Sequence, residues 1–586
     1  MKNLRLFFLI MALIGVIGMN SPVQGAPPTV QGVVFWDKNG NGVRDWGEPG
    51  IPNVSVSNGK EVVKTNWGGH YQLPAYDEMI VFVTKPAGFT PPLNKNNVPQ
   101  FFYIHQPNGS PSVIQKYPGL DPTGPLPRKV NFPLYKEKHG KEFKAIITGD
   151  TQVYTNREID YLRDSLVKEA AGIEAAFVIS MGDNIGDNLS LFPRFLEVMS
   201  GIGKPLWLVP GNHDANLADA PDPEHAFETW KREFGPTYYS FDYGDVHFVV
   251  LNDIVYPSPQ FSSRTYHGEI WGNQMEWLAN DLRLVPRHKL IVLNMHIPIV
   301  SDIDRLAPKH NVANRMELYR LLEGFKVVSL GGHTHTLTHF QPGEELPGWG
   351  QPTPIPQVIV GAGCGSWWSG DLNSDGIPMS YQRDGAPRGF MVWNFNGNKY
   401  NDQFRASGKS PEEQMHLSFQ TPSWKSWFTP MSAFASQRLP RPGNPPLTLN
   451  DLPDQKRLPI ADLDQTRVVA NIWNSSRDSI TLCDFDGKTQ IKAERDLTVG
   501  DPYAQRLQSY VFRYAMGYEM FGVPISLPGT PPQPVDAWML MKESFNVWTC
   551  PVPNHLDPGT HEVIVSTVDS HGNSYKQNMI FEVVLP

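Results

Sequence analysis

Between residues 140 and 405 the chain repeats one arrangement five times: a short apolar run, then aspartate, asparagine or histidine, in four of the five beside glycine. Ile146-Ile147 leads into Gly149-Asp150-Thr151-Gln152, AAFVIS (175–180) through Met181 into Gly182-Asp183-Asn184, and PLWLV (205–209) into Pro210-Gly211-Asn212-His213-Asp214. LIVLNM (290–295) runs straight to His296, and KVVSL (326–330) to Gly331-Gly332-His333-Thr334-His335. Runs of this length and apolarity, with VHFVVL (246–251), read as strands buried on both faces. A helical pattern stands between the first two: Thr155 and Glu158 form a capping box, and Ile159, Leu162, Leu166, Val167 and Ala170 keep a helical spacing. Strands alternating with helices predict a layered α/β core. Loops at the C-terminal edge of such a sheet converge on one crevice, so five polar tails there predict a single site.

The rest of the chain is of another kind. At 586 residues it is too long for one core. Residues 1–26 have a basic start at Lys2 and Arg5, an apolar stretch and small residues at Gly25 and Ala26, the pattern of a secretory signal peptide. Export to a periplasmic or extracellular space is therefore expected, with no transmembrane anchor. Residues 27–138 show short alternating runs such as VVFW, VSVS and IVFVT, which predict a β-sandwich. Residues 139–405 hold the α/β core, 406–454 read as a proline-rich linker that wraps rather than packs, and 455–586 read as a second β-sandwich. Cys483 and Cys550 are placed to pair, leaving Cys364 over.

A formal net charge of −9 with no basic run argues against a nucleic-acid duplex as partner. An acidic surface also repels phosphates, so an anionic substrate needs a local positive focus such as a metal. In DKNGNGVRDWGE, the residues Asp37, Asn39, Asn41, Asp45 and Glu48 match the spacing of a calcium loop, with strands in place of the usual flanking helices. Bound calcium and a hydrated turn tied by side-chain hydrogen bonds both fit this segment.

One histidine shows little, and His70, His105, His225, His247 and His339 are read as structural. Two carboxylates, several histidines and two amides after successive strands are different, since such a set can close around metal. The segments GDTQ, GDNIGD, GNHD, NMH and GGHTH, in this order over residues 149–335, resemble the calcineurin-like metallophosphoesterases. The flanking domains resemble those of an exported bacterial subgroup of that family, the N-terminal one being prealbumin-like. The resemblance implies an αββα-type sandwich flanked by two β-sandwich domains. It also implies an enzyme that hydrolyses phosphomono- or phosphodiesters through a dinuclear metal centre and a bridging hydroxide.

Carried over by position, the resemblance makes Asp183 the bridging carboxylate. Asp150, Gln152 and His335 complete one metal, and Asn212, His296 and His333 the other. Most relatives have histidine where this chain has Gln152. His213 is the implied general acid and charge stabiliser, and its imidazole needs a carboxylate partner, for which Asp187 and Asp214 are the candidates. Gly186 stands where purple acid phosphatases carry a tyrosine ligand, which predicts a colourless centre of manganese, zinc or reduced iron.

The stretch after QVIV contains Trp367, Trp368, Arg383 and Arg388. It reads as a loop over the crevice whose tryptophans stack on a sugar or base and whose arginines hold a second phosphate, or as packing against a neighbouring domain. The first option favours a nucleotide or sugar-nucleotide pyrophosphatase. The alternative of another class is a non-catalytic extracellular binding module.

Overall fold

The computed structural model of the protein describes residues 28–113, 116–137, 140–217, 219–261, 264–435, 446–508, 537–541 and 544–585. The signal-peptide segment lies outside them. No helix among the described residues is long and apolar enough to cross a membrane.

In the middle domain the strands of the two main sheets are β1 (Glu142–Thr148), β2 (Phe177–Ser180), β3 (Leu206–Leu208), β4 (Tyr239–Tyr243), β5 (Val246–Val250), β6 (Leu290–Asn294), β7 (Lys326–Gly331), β8 (Leu337–Phe340), β9 (Gln357–Val360), β10 (Gly389–Asn396) and β11 (Lys399–Ala406). They form two sheets, ordered β3-β2-β1-β10-β11 and β4-β5-β6-β7-β9-β8. β1, β2 and β3 run parallel, as do β5, β6, β7 and β9. The strands expected from the apolar runs are all present.

Period-two alternation explains how the sheets stack. In β1, Phe143, Ala145 and Ile147 face the second sheet and join one core with Phe177, Phe241 and Phe248, whereas Ile146 turns to the helical side with Ile159, Leu162 and Leu166. Trp207 and Phe241 stack across the interface with ring centroids 4.0 Å apart. The predicted capping box opens the helix Asn156–Leu162, and helices Gln274–Leu282 and Arg315–Leu322 bury Trp277, Leu278, Leu318 and Leu322 in the inter-sheet cluster. The arrangement is the expected αββα sandwich.

Two four-stranded sheets with their own apolar cluster make up the N-terminal β-sandwich. Its DKNGNGVRDWGE loop is a closed polar turn. Asp37 accepts from the backbone N–H groups of Gly40 and Gly42, Asp45 from the amides of Asn39 and Asn41, and Glu48 from the N–H groups of Lys38 and Asp45. The C-terminal sandwich packs a four-stranded on a five-stranded sheet, and the Cys483–Cys550 disulfide joins a strand of each. Residues 406–454 depart from the expected linker. Met415–Gln420 pairs with Arg467–Ile472 as an edge strand of this sandwich, and Pro422–Ala435 is a helix that buries Trp424, Trp427 and Met431. Pro422 occupies the first helical position, where its missing N–H costs nothing.

Candidate metal centre

All five polar tails meet at one edge of the sandwich. Asp183, His296 and His333 bring potential ligand atoms within 4.8 Å of one another. His296 Nε2 lies 3.1 Å from Asp183 Oδ2 and 3.9 Å from Asp150 Oδ1, and His335 Nε2 lies 3.6 Å from Asp150 Oδ1. Gln152 is held beside them by its N–H, which donates to the Asp183 carbonyl at 2.8 Å. The backbone N–H of His213 donates to Asp183 Oδ1 at 2.8 Å, which seats the Asn212-His213 turn against the same carboxylate.

Each histidine is presented in a defined tautomer, because a backbone carbonyl can only accept. His296 Nδ1–H donates to Met181 O, leaving Nε2 facing the carboxylates. His335 Nδ1–H donates to Gly365 O, which likewise frees Nε2. His333 is reversed: its Nε2–H donates to Lys309 O and toward His310 Nδ1, both at 2.9 Å, so Nδ1 is the free nitrogen. Second partners of this kind are how metal-ligating imidazoles are oriented.

The backbone is bent to make the set converge. Asp150, Gln152, Asp183, His333 and His335 all have positive φ, between +35° and +72°. For non-glycine residues this conformation costs on the order of 1–2 kcal/mol each. Glycines beside them allow the close approach: a Cβ on Gly182, at φ +93°, would lie 2.4 Å from the His296 ring, and one on Gly332 would lie 2.5 Å from Asp150 Oδ2.

Two observations test whether this set suits a metal. Asn212 Oδ1 and His296 Nε2 are buried with no hydrogen-bond partner, although buried acceptors are nearly always satisfied. Asp150 is wholly buried, and burial pushes its carboxyl up to about 7, so a cation beside it would favour its charged form. Asp183, against burial that would raise it, is held below the carboxylate range by His296 and His213. The donors are oxygen and imidazole nitrogen, and they fit divalent ions.

The two candidate partners of His213 separate. Its Nδ1–H donates to Asp187 Oδ1 at 2.6 Å. Asp214 is wholly buried and accepts from Gly211 N–H, Asn184 N–H and Nδ2–H, and Ile185 N–H, so it braces the loops instead of the imidazole. The tryptophans and arginines after β9 also divide. Trp368 is 1% exposed, donates its indole N–H to Thr151 O and packs on Tyr161, so it is core and cannot stack on a substrate. Arg388, 5% exposed, donates to Pro378 O and lies against Trp368, which likewise removes it from the crevice. Trp367 meets the His335 ring edge-on at 5.6 Å, and the Arg383 backbone N–H donates to His335 O.

Four residues at the site carry no obvious sequence signal. Tyr266 meets the His333 ring edge-on at 5.9 Å, His310 accepts from His333, and Trp538 arrives from beyond residue 500. Tyr154 accepts from Gln152 Nε2 at 3.0 Å and flanks His213 at 6.1 Å. Of these, only Tyr154 lies near an expected ligand in sequence, two residues beyond Gln152.

An α/β sandwich that gathers carboxylates, an amide pair and histidines at the C-terminal ends of its strands is the scaffold of a metal-binding hydrolase. The chain belongs to the calcineurin-like phosphoesterases: residues 143–337 match that family, 38–115 its N-terminal domain and 358–575 its C-terminal domain. It is 27% identical over 167 residues to the 3',5'-cyclic adenosine monophosphate phosphodiesterase CpdA of Haemophilus influenzae, a match spanning 27% of this chain and 54% of that relative. Among solved structures it is similar to a dimetal phosphatase from Danio rerio, with 14% identity and a TM-score of 0.32 over 45% of this chain and 96% of that one. It is also similar to PhoD, with 11% identity and a TM-score of 0.33 over 60% and 79% respectively.

Proposed function

We propose that the protein is an exported phosphoesterase that hydrolyses phosphomono- or phosphodiester bonds at a two-metal centre. The observation that carries this reading is the set of three histidines whose non-facing nitrogens are tied to backbone carbonyls, beside a buried Asn212 oxygen with nothing to bind. Asp150, Gln152, Asp183 and His335 are assigned to one metal, and Asp183, Asn212, His296 and His333 to the other. Manganese, iron or zinc bound there would polarise phosphoryl oxygens and lower the pKa of a water toward neutrality.

This chain's own residues then have distinct tasks. His213, tied to Asp187 through Nδ1, keeps Nε2 for a phosphoryl or leaving-group oxygen. Asp187 and Asp183 hold it charged against the burial that opposes this, pushing it up to about 9, which suits an acid that donates to a departing alkoxide. Asp214 and Asn184 fix the loops that carry both partners.

Hydrolysis of p-nitrophenyl phosphate and bis(p-nitrophenyl) phosphate with added manganese, together with elemental analysis, tests the reading. Turnover of either ester with bound metal is expected. No turnover of both and a metal-free chain would overturn it in favour of a binding module. Trp367 and Arg383 beside His335 favour a second reading, a nucleotide or sugar-nucleotide pyrophosphatase, as does the similarity to a cyclic-nucleotide phosphodiesterase. A panel of nucleoside diphosphate sugars against simple monoesters separates the two. Calcium in the Asp37–Glu48 loop belongs to the same proposal, and a calcium-dependent rise in thermal midpoint would support it.

A further inference from the structure

Beside the candidate metal centre, Tyr154 holds a hydroxyl whose donor side is unused. Its oxygen accepts from Gln152 Nε2 at 3.0 Å, while its own O–H forms no hydrogen bond among the described residues. The ring stands edge-on to His213, with centroids 6.1 Å apart and planes at 74°. It also lies so close over Gly186 that a Cβ added there would fall 2.5 Å from the Tyr154 Cζ. Only glycine at 186 leaves room for it. The side chain therefore reaches from the proposed acid, His213, to a residue assigned to one of the metals.

The backbone on either side fixes this placement. Gln152 N–H donates to Asp183 O at 2.8 Å, Val153 bridges Ile185 in parallel register, and Gly186 N–H donates to Val153 O at 2.9 Å. Tyr154 N–H donates to the Glu158 carboxylate, which also closes the capping box of the helix Asn156–Leu162. A half-buried phenol seated on two tied segments, each carrying residues of the candidate site, needs no rearrangement to meet a substrate. The Gln152 amide also strengthens it as a donor, because accepting one hydrogen bond polarises the O–H for the next.

We infer that Tyr154 is a further catalytic residue, whose hydroxyl donates a hydrogen bond to a phosphoryl oxygen of the ester while His213 serves the leaving group. No proton is transferred from the phenol. The bond strengthens as negative charge builds on that oxygen and relaxes in the product, so it lowers the barrier instead of tightening the ground state. Gln152 then has two tasks, since Oε1 is the atom it can offer to a metal and Nε2–H holds the phenol. The inference rests on the phosphoesterase reading and adds to it a donor from outside the proposed ligand set.

Tyr154→Phe removes the hydroxyl and keeps the ring over Gly186. On the manganese-loaded full-length chain it should lower kcat about 10²-fold, with manganese content and thermal midpoint unchanged. The loss should be the same for p-nitrophenyl phosphate and for phenyl phosphate, whose leaving group is far more basic, because the bond is made to the phosphoryl group. Orthovanadate, which takes up the five-coordinate shape of the transition state, should bind the variant more weakly by a similar factor in calorimetry. Unaltered kcat and vanadate affinity would overturn the inference. So would a loss confined to phenyl phosphate, which would make the phenol a leaving-group acid, or a loss of kcat that leaves vanadate affinity intact. A variant that sheds manganese and recovers full kcat at saturating manganese would reduce Tyr154 to a support for Gln152. Failure of the unaltered chain to hydrolyse either ester would instead sink the phosphoesterase reading, and this inference with it.

Discussion

His213 Nδ1 lies 2.6 Å from Asp187 Oδ1, while the carboxylate next to it in sequence, Asp214, is turned into the core and taken up by Gly211, Asn184 and Ile185. Position in space, not adjacency along the chain, decides which acid serves the imidazole. Asp187→Asn should lower kcat about 10–100-fold with metal content unchanged, as loss of a histidine's orienting partner does elsewhere. His213→Ala should cost about 10²–10⁴-fold. Asp214→Asn places an amide against backbone donors and should cost about 1–3 kcal/mol of stability instead. Steady-state kinetics beside thermal melts would check the division, and an Asp187→Asn variant with unaltered kcat would refute it.

Gln152 offers a neutral oxygen where imidazole would bind zinc better. Its amide nitrogen is committed to Tyr154, which leaves Oε1 as the atom it can offer to a metal. Gln152→His should tighten zinc at that position, read by competition against a chromogenic chelator. Identical zinc affinity in both proteins would show that residue 152 is not a ligand.

Gly186 is covered by Tyr154: a Cβ added there would meet the ring at 2.4 Å. The tyrosine position of purple acid phosphatases is therefore both absent and blocked. An iron-loaded sample should show no visible charge-transfer band, and a purple or pink preparation would contradict the assignment.

Lys85 is fully buried between the N-terminal sandwich and the core, bonded to Glu137 at 2.7 Å and to the Asp242 carbonyl at 2.9 Å. Burial outweighs the pull of Glu137 and pushes the ammonium down to about 8 from 10.5. The unfolded chain then binds the proton more readily, so stability should rise with pH between about 8 and 10.5. Lys85→Met should flatten that rise, on the order of 3 kcal/mol across the window. Parallel slopes of thermal midpoint against pH in the two proteins would disprove it.

The strands were legible because burial on both faces leaves long apolar runs, and the residues gathered at the candidate site because each run ends in polar residues that a strand interior would not tolerate. Loop conformation was not legible. Nothing in Gly-Asp-Thr-Gln announces that Asp150 and Gln152 adopt left-handed backbone, since tertiary closure imposes that strain. Proline content pointed away from structure at 406–454, although Trp424, Trp427, Phe428 and Met431 keep a helical spacing and do form one packed face. Trp368 and Arg388 looked like Trp367 and Arg383 in composition; the paired left-handed turn sorts the tryptophans, and burial against Pro378 and Trp368 sorts the arginines. Trp538 lies in no recurring pattern, and its place beside His310 is a fact of domain docking.

β10 lies between β1 and β11, antiparallel to β1, inside the sheet that carries Asp150 and Asp183. Its residues follow those of β1 by more than 240 positions. Until Gly389–Asn396 is available, β1 has one open edge, and the loop that positions Asp150 has no finished sheet beneath it. At the metal centre proposed above, capture of an ion would then follow the closing of this sheet. For the exported enzyme proposed above, that would fall on the far side of the membrane, where the supply of ions around the folding polypeptide would set which one is taken.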